Sequence, residues 1–236
     1  MKRVRTVFVI LATFCGMGSA VSSLTAASLP QDSPEPGTSS AIILTNPAPL
    51  SAEDLPATAP GLDRAELLLA DGQPLAASRI LAAELAAAGQ DASPPVVLAA
   101  ARAQARIRSW STVRRLLAER TWLDSLAGGE GRLLQAQAEL AGGAVAAALE
   151  HFDMVLPGLR EGGDLDPYVQ ALVGRARALQ RLGRDSAAAE SWLEAAGVAP
   201  GISPWLRMSA LQSLGRAGDP DRAAAVSLSL IHISEP

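Results

Sequence analysis

His151 is the only histidine outside the C-terminal tail, and it lies near other residues capable of acid–base or metal chemistry. His151 neighbours Glu150 and Asp153 in a segment with helical periodicity. Metal ligands on one helix lie three or four residues apart, because such side chains share a face. Met154 and Val155 occupy those steps after His151. No metal site is therefore predicted there, and the two carboxylates are interpreted as a solvated pair.

No motif of a common catalytic or phosphate-binding site occurs elsewhere. The sequence has no H-E-x-x-H, no G-x-S-x-G and no glycine-rich phosphate loop after a strand. Gly128, Gly129 and Gly131 form a glycine-rich stretch, but its place before a predicted helix indicates a turn between repeats. We therefore predict no catalytic residue, no metal and no cofactor in this sequence.

Composition favours closely packed helices. Hydrophobic residues make up 49% of the 236 residues but aromatic residues only 3%, and alanine and leucine dominate. The formal net charge is −4, and no basic stripe with interleaved aromatics is present, which argues against nucleic-acid binding.

The first 20 residues are typical of a secretory signal. Lys2, Arg3 and Arg5 precede a short apolar run, and Gly18, Ser19 and Ala20 offer small residues for cleavage. The run is short for a membrane span, so an uncleaved anchor is the alternative. Lipidation at Cys15 is a weaker alternative, because the bulky Phe14 precedes it. We expect a periplasmic or secreted protein, touching the membrane only through an uncleaved signal.

The next segment, residues 21–60, is predicted to be a flexible linker, because seven prolines are spaced among serine, threonine and alanine.

From residue 62 the pattern becomes helix, turn, helix. The predicted turns within each helix pair fall near Gly72, Ser109, Gly142, Gly183 and Gly218, at intervals of 33 to 41 residues. Such a period is typical of a helical solenoid. The longest interval contains residues 162–167, which we interpret as an inserted loop.

The clearest repeat covers residues 169–200. Small residues, one aromatic and a closing proline recur at fixed spacing in Ala176, Ala188, Trp192, Ala195 and Pro200, and Ala136, Ala148 and Phe152 repeat part of the pattern. Looser copies contain Ala65, Ala77 and Leu81, and then Val113 and Leu117. Alanine lets two helices approach closely, and the aromatic ring fills the groove beside them.

This spacing resembles the tetratricopeptide repeat (TPR). The resemblance implies an all-α, right-handed helix-turn-helix solenoid over residues 62–226, with a protein or peptide bound on the concave face. An irregular helical bundle is the competing fold. Arg132, Gln135 and Glu139 are candidates for that face.

The four tryptophans, Trp110, Trp122, Trp192 and Trp205, are interpreted as packing residues. Ser203 and Pro204 are interpreted as the cap and first turn of a helix.

A second resemblance covers roughly residues 65–225. The segment WLRMSALQSLGRAGD, following AAGVAPGISP, is similar to the helical arm of soluble lytic transglycosylases. That family carries its catalytic glutamate in an E-S motif of a separate domain, followed by G-L-M-Q-type sequence. Here the E-S pair Glu190-Ser191 lies inside a repeat helix without that motif. The expected function is an exported interaction scaffold; the alternative is the non-catalytic arm of a cell-wall enzyme, with peptidoglycan as its partner.

The final residues differ in composition from the rest. Residues 228–236, LSLIHISEP, resemble the translation of a transposase adapter used in DNA sequencing. We expect the natural part of the sequence to end near Val226 or Ser227 and the rest to be translated adapter. We therefore assign no role to His232. The alternative is an ordinary apolar strand or helix end.

Overall fold

The computed structural model describes residues 60–231, and these residues form ten α-helices and no strand. The predicted signal peptide, almost all of the linker and the last five residues lie outside the described residues. The helices are α1 (Gly61–Ala70), α2 (Pro74–Ala88), α3 (Pro94–Arg106), α4 (Trp110–Leu117), α5 (Glu130–Ala141), α6 (Val145–Glu161), α7 (Leu165–Arg181), α8 (Asp185–Val198), α9 (Ser203–Ala217) and α10 (Pro220–Ile231).

The helices pair into five hairpins, with α1 and α2 as hairpin 1 and α9 and α10 as hairpin 5. All five turns predicted from the sequence lie between the two helices of a hairpin. In four of them a glycine adopts the left-handed conformation, with φ between 71° and 85° at Gly72, Gly143, Gly183 and Gly218. Glycine does so without a Cβ penalty, which is why it ends helices. Arg108 takes this position in hairpin 2, with φ 61°.

Each helix packs against the next along the chain, and α1, α3, α5 and α7 also contact one another in succession. We call α1, α3, α5, α7 and α9 the first helices, and their partners the second helices. The buried residues fall into three apolar clusters, one in hairpin 1 and α3, one from α3 to α5, and one from α5 to α10. Alanine fills many of these positions, so the helices approach closely.

Hairpin 2 departs from the regular pattern. Its second helix, α4, has 8 residues, and an irregular segment, residues 118–129, leads to α5. Leu123 in this segment is buried with Val113 and Leu117, so it supplies apolar surface that a longer helix would otherwise provide. Gly131 leaves room for it, because a Cβ on Gly131 would lie 2.9 Å from Leu123 Cδ2.

The predicted inserted loop is wrong in extent. Only residues 162–164 separate α6 from α7, and each of these helices has 17 residues. The side chain of Asp164 accepts a hydrogen bond from the backbone N–H of Asp166 and begins α7. Pro167 fits the first turn, where its missing N–H costs nothing. The extra residues of the longest interval therefore lengthen two helices.

The start of α9 also differs by one residue from the prediction. Pro204 lies in the first turn as expected, but the capping position belongs to Ile202, and Ser203 is buried inside the helix without a capping hydrogen bond. A short 3₁₀ turn, Pro200–Ile202, leads into it. No helix in residues 60–231 is both long and apolar enough to cross a membrane.

Candidate functional site

The most concentrated polar cluster lies in hairpin 3, between α5 and α6. The Nδ1 of His151 lies 2.7 Å from Oε2 of Glu139, and Gln135 Nε2 donates to Oε1 of the same carboxylate at 3.3 Å. Glu139 is only 9% exposed. A buried carboxylate is costly unless such partners satisfy it, so these contacts account for its presence in the hairpin.

Arg132 closes this cluster on the side of the irregular segment. Its guanidinium donates to both oxygens of Asp124, at 2.8 and 2.7 Å, and to Gln135 Oε1 at 3.0 Å. This paired geometry holds the pKa of the Asp124 carboxyl below its usual range, mainly through the hydrogen bond from Arg132. The Nη1 of Arg132 also lies 3.5 Å from His151 Nε2.

This arrangement corrects two sequence-based interpretations. His151 does have a carboxylate partner, but it comes from α5, 12 residues earlier, rather than from its own helix. Arg132, Gln135 and Glu139, the candidates for the concave face, bond to one another, to Asp124 before α5 and to His151 on α6. Within the described residues no group of three or more histidine, cysteine or acidic side chains is arranged to hold a metal.

A second polar array runs along the first helices. Arg102 on α3 donates to Glu66 on α1 at 2.8 Å and, through Nε, to Glu130 on α5 at 2.7 Å. These carboxylates, Glu130 foremost, raise the pKa of Arg102 above its ordinary value. Farther along, Gln137 on α5 donates to Gln170 on α7 at 3.3 Å. We call the surface carrying these five side chains the first-helix face.

Trp205 extends this face into hairpin 5, and the exposed Met208 follows it on α9. Glu130, Gln170 and Trp205 each lie 13 residues before the left-handed turn glycine of their own hairpin, so Trp205 holds the equivalent position on α9. Trp205 is 40% exposed, and Met208, one turn later, is 50% exposed. Trp205 also packs edge-on against Trp192 of α8, with ring centroids 5.5 Å apart.

The first-helix face also carries two arginines on α7. Arg177 and Arg181 follow Gln170 by 7 and 11 residues on α7, which places all three on one side of the helix. Burial, and next the charge of Arg181, lower the pKa of Arg177. The guanidinium of Arg181 donates to the carbonyl of Leu140 on α5. Both guanidinium groups therefore already have partners within the chain.

The residues assigned to repeat packing lie at the helix contacts, with one exception. Ala136, Ala148, Phe152, Ala176, Ala188, Trp192 and Ala195 are all buried in the cluster that runs from α5 to α10. Pro200 is exposed and begins the short turn before α9. Sequence reasoning missed Gly174, where a Cβ would overlap the ring of Phe152 at Cζ. A glycine inside an otherwise regular helix was the available signal.

Comparison with known proteins supports the architecture. Two crystal structures of the nearly identical TPR-like repeats of a putative kinesin light chain from Podosopora anserina, one of them a Q17M variant, resemble this chain with a TM-score of 0.55. The fold is TPR-like. The sequence identities are 15% and 16%, and each match covers 73% of this chain and 92% of the other. No family profile and no curated protein matches the sequence.

Proposed function

We propose that this chain is an exported interaction scaffold that binds a protein or peptide segment along the first-helix face. The observation that carries the proposal is the exposed pair Trp205 and Met208, which continues a face built from successive first helices. Indole and thioether side chains supply large contact areas in protein interfaces.

Selection from a phage-displayed library of random peptides tests this function. We expect peptides enriched on the full chain to bind about ten-fold more weakly to Met208→Ala, since central apolar contacts carry much of the free energy of binding. Met154→Ala is the matched control, because Met154 on α6 is 52% exposed but lies on a second helix. Peptide binding that depends equally on both methionines, or no enrichment at all, would contradict the proposal.

Export and the alternative of a transglycosylase arm are tested separately. We propose that the first 20 residues direct secretion, as their basic start and apolar run indicate. The N-terminal sequence of the protein recovered from the periplasm or medium would show the cleavage site, and retention in the cytoplasm would reject export.

Genomic DNA beyond the codon of Val226 discriminates the scaffold from a transglycosylase arm, because only the enzyme requires a downstream E-S and G-L-M-Q region.

A further inference from the structure

A groove lies away from the side chains of the first-helix face, between the second helices α6 and α8. It encloses about 460 Å³ and is lined by residues of α6, α7 and α8. Leu172 of α7 is a buried apolar lining residue, and Leu156 and Pro157 of α6 add apolar surface. The lengthened end of α6 and the early turns of α7 build much of it, so the groove arises where the repeat interval is longest.

Carboxylates outnumber guanidinium groups around this groove. Asp153, Glu161 and Glu194 line it together with Arg160 and Arg175. Asp164 and Asp166 follow Glu161 in the sequence, at the start of α7.

The charge of Arg175 is already engaged. Its guanidinium pairs with Asp153 and donates to Ser191 Oγ at 2.7 Å. The hydroxyl of Tyr168 donates to Glu194, and burial followed by that hydrogen bond raises the pKa of Tyr168. The phenol therefore stays neutral, and its hydrogen bond holds the Glu194 side chain in place.

Pro157 adds a backbone feature to the same wall. Proline has no N–H, so Pro157 gives no helical hydrogen bond to the carbonyl oxygen of Asp153, four residues earlier. The backbone of α6 therefore lacks one helical hydrogen bond where Asp153 and Pro157 line the groove.

We propose that this groove is a second docking surface, which binds a basic segment of a partner protein. An arginine or lysine side chain of the partner lies against Glu161 and Glu194, and a neighbouring apolar side chain packs on Leu156 and Pro157. The excess of carboxylates selects the sign of the partner's charge, and the apolar lining gives contact area. The surface is distinct from the first-helix face and does not depend on it.

A short labelled peptide of arginine, leucine and glycine is the probe, with a counterpart in which glutamate replaces arginine. Fluorescence anisotropy against the full chain measures both. We expect the double variant Glu161→Gln, Glu194→Gln to bind the basic peptide about five-fold more weakly, given the modest strength of exposed ion pairs. The amide oxygen introduced by Glu194→Gln can still accept the hydrogen bond from Tyr168, so circular dichroism should show an unchanged helical content.

The control double variant, Glu119→Gln with Asp221→Asn, removes the same charge outside the groove. Glu119 lies before α5 and Asp221 on α10, and both are exposed. Binding of the basic peptide should be unchanged in this control and in Met208→Ala. Equal weakening in both double variants would show a mere effect of net charge. That result, equal binding of the acidic peptide, or no binding of the basic one would overturn the proposal.

Discussion

Gly174 shows how one side chain sets the distance between two hairpins. A hydrogen is all that fits at its Cα toward hairpin 3, since the ring of Phe152 occupies the position that a Cβ would need. Phe152 is itself fully buried. Glycine lowers the intrinsic stability of the helix, and its close contact with a buried aromatic ring offsets that cost.

Gly174→Ala should lower the free energy of unfolding by about 1–3 kcal/mol, because the added methyl group overpacks this contact. Gly158→Ala on α6 is the matched control: no atom lies within 4 Å of its Cβ position, so better helix propensity should raise stability by up to about 1 kcal/mol. Urea denaturation followed by circular dichroism measures both. Equal effects of the two substitutions would reject the steric explanation.

Sequence spacing predicts the side chains that recur in each repeat. It fails for side chains whose size is set by a contact with one particular neighbour. Ala176, Ala188 and Trp192 stand out because their spacing follows helix geometry. Gly174 and Leu123 fill positions set by a partner in another hairpin or segment, and no period in the sequence marks such a position.

At the level of elements, hairpin 3 holds a buried carboxylate, that of Glu139, beside its alanine and leucine core. Glu139 and His151 lie on different helices and meet because the turn at Gly143 folds α6 back on α5. A search for ligands three or four residues apart cannot find such a pair. The arrangement is satisfied internally, so each partner is needed to offset the desolvation of the other.

Glu139→Leu should cost about 1–3 kcal/mol of stability, because it leaves polar groups of His151 and Gln135 without their acceptor. The double variant Glu139→Leu, His151→Leu should regain much of that loss, since both ends of the contact then become apolar. A double-mutant cycle in denaturant measures the coupling. Strictly additive effects of the two substitutions would show that the 2.7 Å contact contributes nothing.

The turns were the most predictable elements, and the helix lengths were not. Glycine marks four turns because the backbone there needs a positive φ. Arg108 occupies the same conformation without that signal, and the sequence located its turn only through the neighbouring Ser109. The sequence predicts a loop that includes the first three residues of α7, because Gly162, Gly163 and Pro167 usually interrupt helices.

For the whole molecule, the division of the core into three clusters means that stability is distributed locally. Hairpin 1 shares its buried apolar cluster with α3, and Leu116 of α4 packs against it, whereas α8 and α9 belong to the cluster that begins in α5. In repeat arrays, each unit draws its stability from itself and its neighbours. The sequence could predict this architecture from its period, but not the groove between α6 and α8, which depends on how two hairpins meet.

Leu81→Ala should accelerate amide hydrogen exchange in α1, α2 and α3, because it removes a fully buried side chain from their shared cluster at a cost of about 2–5 kcal/mol. Exchange in α8 and α9 should remain unchanged. Leu75→Ala, on the same helix but 63% exposed, is the control and should change little. Uniform acceleration along residues 60–231 would instead indicate a single cooperative unit.

The edge-on contact of Trp192 with Trp205 has an optical consequence. Two indoles at a centroid separation of 5.5 Å, with their planes 86° apart, sit across the junction of α8 and α9. Emission from this pair is sensitive to whether the last hairpin is docked, while Trp110 and Trp122 lie in and after α4. The molecule thus carries tryptophans at two separate places along the array. Their intrinsic fluorescence can report on the folding of each place without an attached dye.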